Sequence, residues 1–212
     1  MRTRLLWLPV AILLAFAGCR DVAAPQTEPD LLGRVVHQPP APTEVHILQQ
    51  APTAPLLETY RASFWAHKGT ASTVTVNYQP AAAQWVGEPF LRFDIPKNGL
   101  VAGADGAPLK RGDSVWVTLT IDSVDFSVHA QPSGVLFSKN FPANLAIWYE
   151  NANPDLNGDG VVNGQDKQLG QQLAFWYHAA KTRWSKLSSH NDTTQLSVST
   201  ALYHFSEYAV SW

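Results

Sequence analysis

Val115-Trp116-Val117-Thr118-Leu119-Thr120-Ile121 alternates aliphatic residues with polar or aromatic ones over seven positions. Successive side chains of a strand point to opposite faces. Val115, Val117, Leu119 and Ile121 therefore form a face to be buried, and Trp116, Thr118 and Thr120 look the other way. The same beat recurs in Val74 to Tyr78, broken by Thr75 and Asn77, and in Leu91 to Ile95, broken by Arg92 and Asp94. Turn residues separate these runs at Pro96-Lys97-Asn98-Gly99, Asp105-Gly106, Arg111-Gly112-Asp113 and Gln131-Pro132-Ser133-Gly134. Further strands are expected at 124–129, 134–138, 144–149, 172–178, 182–187, 196–202 and 205–211. About ten short strands in this span predict an all-β fold, one β-sandwich over residues 59–212. That length is enough to bury a core.

Two similar segments, Leu145-Ala146-Ile147-Trp148-Tyr149 and Leu173-Ala174-Phe175-Trp176-Tyr177, flank an insertion at 150–172. Its centre is Asp155-Leu156-Asn157-Gly158-Asp159-Gly160-Val161-Val162-Asn163-Gly164-Gln165-Asp166. Ca²⁺ takes six to eight oxygens, and a twelve-residue loop supplies them when alternate residues point inward. Asp155, Asn157 and Asp159 occupy loop positions one, three and five, and Gly160 sits at six, where the chain bends. Val161 offers its carbonyl, Asn163 coordinates directly or through water, and Asp166 closes the loop. Val162, at position eight, is expected to pin the loop to the core, and a short helix is expected from about Gly164 to Gln171. One structural Ca²⁺ is the implied cofactor. Without it, three neighbouring carboxylates repel and the loop should be loose.

On these residues the insertion resembles one calcium-binding repeat of a dockerin, an EF-hand relative whose loop also ends in Asp and lacks an entering helix. A dockerin has two such repeats and this chain has one, so the paired surface that contacts a cohesin is missing. The closing Glu of a sensor EF-hand is absent as well, and the resemblance implies a staple rather than a switch.

At the front, residues 1–18 carry Arg2 and Arg4 ahead of an apolar run from Leu5 to Phe16, too short to span a bilayer and expected as a secretory signal. Cys19 is the only cysteine, so no internal disulfide can form. Phe16-Ala17-Gly18-Cys19 resembles a bacterial lipobox, with Phe16 where Leu is commoner. The resemblance implies a lipid on Cys19 and a place on the bacterial cell envelope, facing periplasm or exterior. Cleavage after Ala17 instead leaves a secreted protein with a free thiol. Residues 19–58 hold seven prolines and are expected as a spacer reaching about 100 Å. Within it, Leu31-Leu32 and Val45 to Leu48 are apolar patches able to dock on the domain. Without residues 1–18, 13 basic residues face 17 acidic ones, which excludes the balance of a nucleic-acid binder.

Signs of catalysis are few. The seven histidines have no metal-site spacing, and no Gly-x-Ser-x-Gly elbow occurs. Glu150, Glu207 and Asp94 could supply a glycosidase carboxylate pair only if the fold gathers them. Trp116 and Trp148 fall opposite their aliphatic neighbours, where they either stack on sugar rings or fill a covered sheet face.

Three segments, Phe93-Asp94-Ile95-Pro96-Lys97-Asn98-Gly99-Leu100, Asp113-Ser114-Val115-Trp116-Val117 and Phe141-Pro142-Ala143-Asn144-Leu145, with the trailing His204 to Val210, resemble a ZU5-type β-domain. That resemblance implies an interaction module without catalytic residues. The expectation is thus a lipid-anchored, non-catalytic β-sandwich with a protein or glycan partner. The alternative is a carbohydrate-binding module or carbohydrate-active hydrolase.

Overall fold

The computed structural model describes residues 45–81, 85–179 and 183–212. The expected signal, Cys19 and residues 19–44 of the expected tether lie outside the described residues. Among those described, the fold is all-β with one short helix.

Strands β1 (Arg61–His67), β5 (Ser114–Ile121), β6 (Ser127–Gln131), β13 (Glu207–Ser211), β9 (Ala174–Ala179) and β10 (Arg183–Lys186) form one sheet in that order. Strands β11 (Ser189–Asp192), β12 (Ser197–Leu202), β8 (Ala143–Trp148), β3 (Pro89–Ile95) and β2 (Ser72–Asn77) form the second. A small pair, β4 (Leu100–Ala102) with β7 (Leu136–Phe137), completes the set. Neighbours in both large sheets run antiparallel, so one face of each can be apolar and the other polar.

The alternation of the sequence is what makes the core. On β5, Val117, Leu119 and Ile121 are buried while Trp116 and Thr120 are exposed. On β8, Leu145 and Ile147 point inward against Phe93 and Leu91 of β3, their register partners. Aromatic rings then bridge the two sheets: Phe64 of β1 meets Phe93 of β3 at 6.5 Å between centroids, and Phe93 meets Phe205 at 5.8 Å. These contacts join one continuous buried cluster drawn from both large sheets.

Two expectations need correction. Strands β1, β4 and β11 are absent from the expected set, and the structure has thirteen strands among the described residues. The expected tether also ends too late. Leu48 is 1% exposed and sits in the core cluster. Its backbone N–H donates to Val210 O at 2.9 Å, and its carbonyl accepts from Phe126 N at 2.8 Å. Leu57 is buried too, bridged to Tyr78. Residues 45–58 are therefore part of the sandwich, held by two apolar anchors that the prolines between them obscure in the sequence.

The twin segments separate. Leu145 to Trp148 lie on β8 of one sheet, and Ala174 to Tyr177 lie on β9 of the other. Their likeness reflects the same demand met twice, with Leu145 and Ile147 inward on one side and Leu173 and Phe175 inward on the other. The insertion at 150–172 is thus the crossover from sheet to sheet.

Candidate metal centre and exposed aromatics

At the base of the crossover, residues 151–153 are tied to the N-terminal segment. Ala51 N donates to Asn151 O at 2.9 Å, and Asn153 N donates to Gln49 O at 2.8 Å. Leu156 then turns inward against the core cluster. Helix α1 (Gly164–Gly170) closes the crossover, one residue short of the expected end. Asn191 Nδ2 donates to Gly170 O at 2.8 Å, and the Tyr149 hydroxyl donates to Asn191 Oδ1 at 2.9 Å. Both ends of the insertion are therefore fastened to the sandwich.

Between those ends the loop folds around its own carboxylates. Asp155 accepts from Asp159 N at 3.2 Å and Gly160 N at 2.8 Å. Asp166 accepts from Leu156 N at 2.8 Å and Asn157 N at 3.3 Å with one oxygen, and from Asn163 N at 2.7 Å with the other. The first and last expected ligands thus bond the same short stretch, residues 156–160. Asp166 is 4% exposed, and the N–H of Asn163 leads the donors that hold its carboxyl below the ordinary carboxylate value. Gly160 has φ +84°, and a Cβ there would meet nothing within 4 Å. Its requirement for glycine is therefore conformational rather than steric.

The remaining ligand positions are engaged as well. Asn157 Oδ1 accepts from Asp159 N at 3.0 Å, Asp159 Oδ1 accepts from Val161 N at 2.8 Å, and Val161 O accepts from Asn163 Nδ2 at 3.0 Å. Asn163 is also the N-cap of α1, accepting from Gln165 N at 2.7 Å, and with Asp166 it forms a capping box. Positions nine and twelve thus also serve to start the helix. Each carboxylate of the loop thus accepts from backbone N–H groups.

The donor set fits a hard cation. Asp155, Asn157, Asp159, Val161, Asn163 and Asp166 offer six oxygens, and each carboxylate oxygen bonded to N–H groups keeps lone-pair capacity. Among the described residues no three His, Cys, Asp or Glu side chains form a metal-ligating group, and Asp155, Asp159 and Asp166 are therefore not gathered as one. Val162 departs from expectation. It is 62% exposed, and Leu156 does the anchoring expected of it.

Trp116 and Trp148 do not meet, since they lie on β5 and β8 in different sheets. Trp116 is 47% exposed and pairs with Trp65, 55% exposed, directly across β1 and β5 with centroids 5.1 Å apart. Sequence alone could have offered this pair only with the register known. Trp148 is half-buried and borders a hollow of about 210 Å³ with Tyr78, Glu88, Glu150, Asn151 and Gln195. Of the three weighed carboxylates, Asp94 bonds Arg92 at 2.9 Å and Thr73 at 2.6 Å, while Glu207 lies 3.3 Å from His178 Nδ1. Neither is held against Glu150. Among the described residues no helix is long and apolar enough to cross a membrane.

No protein-family model, no curated protein and no solved structure matches this chain.

Proposed function

We propose that this protein is a non-catalytic binding module, a β-sandwich whose inter-sheet crossover is stapled by one structural Ca²⁺ and which is held at the bacterial envelope by a lipid on Cys19. The observation that carries the staple is the convergence of Asp155 and Asp166 on the N–H groups of residues 156–160. That convergence brings the first and last ligand positions of a twelve-residue loop to one turn. Asp155, Asn157, Asp159, Val161, Asn163 and Asp166 would hold the ion, and the ion would offset the mutual repulsion of the three carboxylates.

The crossover joins β8 in one sheet to β9 in the other, so an ion here restrains how the two sheets meet. Calcium as a restraint, without a switch, agrees with Asp at position twelve and with a single loop. Residues 45–58 pack on the sandwich, so the expected tether ends no later than residue 44. Following the thermal unfolding of the chain while calcium is titrated tests the staple. Replacing Cys19 with Ser and following release from the membrane fraction tests the anchor.

A further inference from the structure

Residues 46–51 run as a short strap between the first sheet and the crossover, and they bond both. On one side Leu48 N donates to Val210 O at 2.9 Å, Phe126 N donates to Leu48 O at 2.8 Å, and Gln50 N donates to Val124 O at 2.8 Å. On the other side Asn153 N donates to Gln49 O at 2.8 Å, and Ala51 N donates to Asn151 O at 2.9 Å. Alternate residues of an extended chain aim their backbone groups at opposite edges. Leu48 and Gln50 therefore face the sheet, and Gln49 and Ala51 face the crossover. The strap is fixed at its start by Ser211 Oγ, which donates to His46 O at 2.8 Å, and by the His46 ring stacked on Trp212 at 5.7 Å. Leu48, 1% exposed, anchors it in the core cluster.

The crossover leans on this strap. Apart from the turn bond of Ala152 N to Tyr149 O, the backbone of residues 151–163 reaches outside the crossover, among the described residues, only to Gln49 and Ala51. Asn153 carries the connection onward. Its N–H goes to the strap, and its Oδ1 accepts from Asp155 N at 3.1 Å. The Asp155 carboxylate in turn accepts from Asp159 N and Gly160 N. Leu156 adds one half-buried apolar contact with the core.

We propose that the strap is a clasp for the crossover. With Leu48 docked, residues 151–166 are held in order; when the strap lifts, they open as one unit while both sheets persist. Segments held by few buried contacts open locally in this way. The chain enters the sandwich at the strap, so a pull on the residues ahead of it loads these bonds before those of either sheet. Coupling between two sites is reciprocal, and a loosened loop must therefore loosen the strap. The clasp does not rest on the calcium staple.

Amide hydrogen exchange of the full chain, followed by NMR in chelator, tests it. Leu48→Ala should speed exchange at Asp159, Gly160 and Asn163 about tenfold or more relative to the amides of β3 and β8. Leu100→Ala, an equally buried deletion on β4, should not. Asp166→Ala removes the acceptor of Leu156, Asn157 and Asn163 N–H, and it should in turn speed exchange at Leu48 and Gln50. Should Leu48→Ala not fold, Leu48→Val makes the same comparison with a smaller loss of side chain. Loop exchange unchanged by the Leu48 variants, or raised equally by Leu100→Ala, overturns the proposal. Strap exchange indifferent to Asp166→Ala overturns it as well. A melting temperature indifferent to calcium defeats the staple and leaves the clasp standing.

Discussion

Replacing Leu48 with Ala tests where the spacer stops and the domain begins. The side chain is 1% exposed and lies within the core cluster, and its backbone bonds both Phe126 and Val210. Substitution leaves that backbone ladder in place and removes only the apolar anchor. Leu→Ala at well-packed sites costs about 2.7–5 kcal/mol, the transfer loss plus the cavity left behind. A surface segment can collapse partly into the void, which places the expectation near the lower end, about 3 kcal/mol. For a domain of this size that lowers the melting temperature by about 6–12 °C. The assay is thermal or urea unfolding of the full chain, with Leu56→Ala as the control because Leu56 is exposed. The control should stay within about 0.5 kcal/mol of the parent. A loss below about 0.5 kcal/mol for Leu48→Ala would mean that Leu48 is no anchor, and the spacer would extend past it.

Gly160→Ala should destabilise by about 1–2 kcal/mol, because φ is +84° there and the added methyl meets no neighbour; unchanged stability would mean that the turn has another conformation. Gly87→Ala should destabilise the fold, since a Cβ at that position would stand 1.7 Å from the backbone oxygen of Tyr78. A wild-type melting curve for that variant would contradict the close approach. In calcium-free buffer, backbone donors hold the carboxyls of Asp166 and Asp192 below their ordinary value of 3.8. Carboxylates depressed in the fold add stability that is fully present above 3.8 and disappears as pH falls through their folded values. Burial raises Asp125, which acts in the opposite sense. Stability should therefore fall in acid below about pH 4, less steeply for Asp192→Asn; identical acid profiles would contradict this assignment.

The strands were legible wherever burial imposed a two-residue beat. Val115 to Ile121 and Leu91 to Ile95 alternate because one face of each packs in the core. Strand β1 was harder to find, since two of its three inward positions, Ala62 and Ala66, are small, and the inward Phe64 stands beside the outward Trp65, which blurs the beat. The docking of Leu48 and Leu57 depends on partners far along the chain, Val210 and Tyr78, which local pattern cannot supply. For the loop, the bend at Gly160 was readable because it is a property of a few consecutive residues. The inward turn of Leu156 and the outward turn of Val162 were not, because both depend on where the crossover meets the sandwich. The hollow beside Trp148 gathers residues from four separate parts of the chain, and only the fold brings them side by side.

Thermal unfolding of the chain, first in chelator and then across a calcium titration, tests the staple most directly. Calcium at about a hundred times its dissociation constant adds about 2.7 kcal/mol, a rise of about 5–11 °C for a domain of this length. Asp155→Ala should abolish that rise. A melting temperature that is the same in chelator and in millimolar calcium would contradict the account.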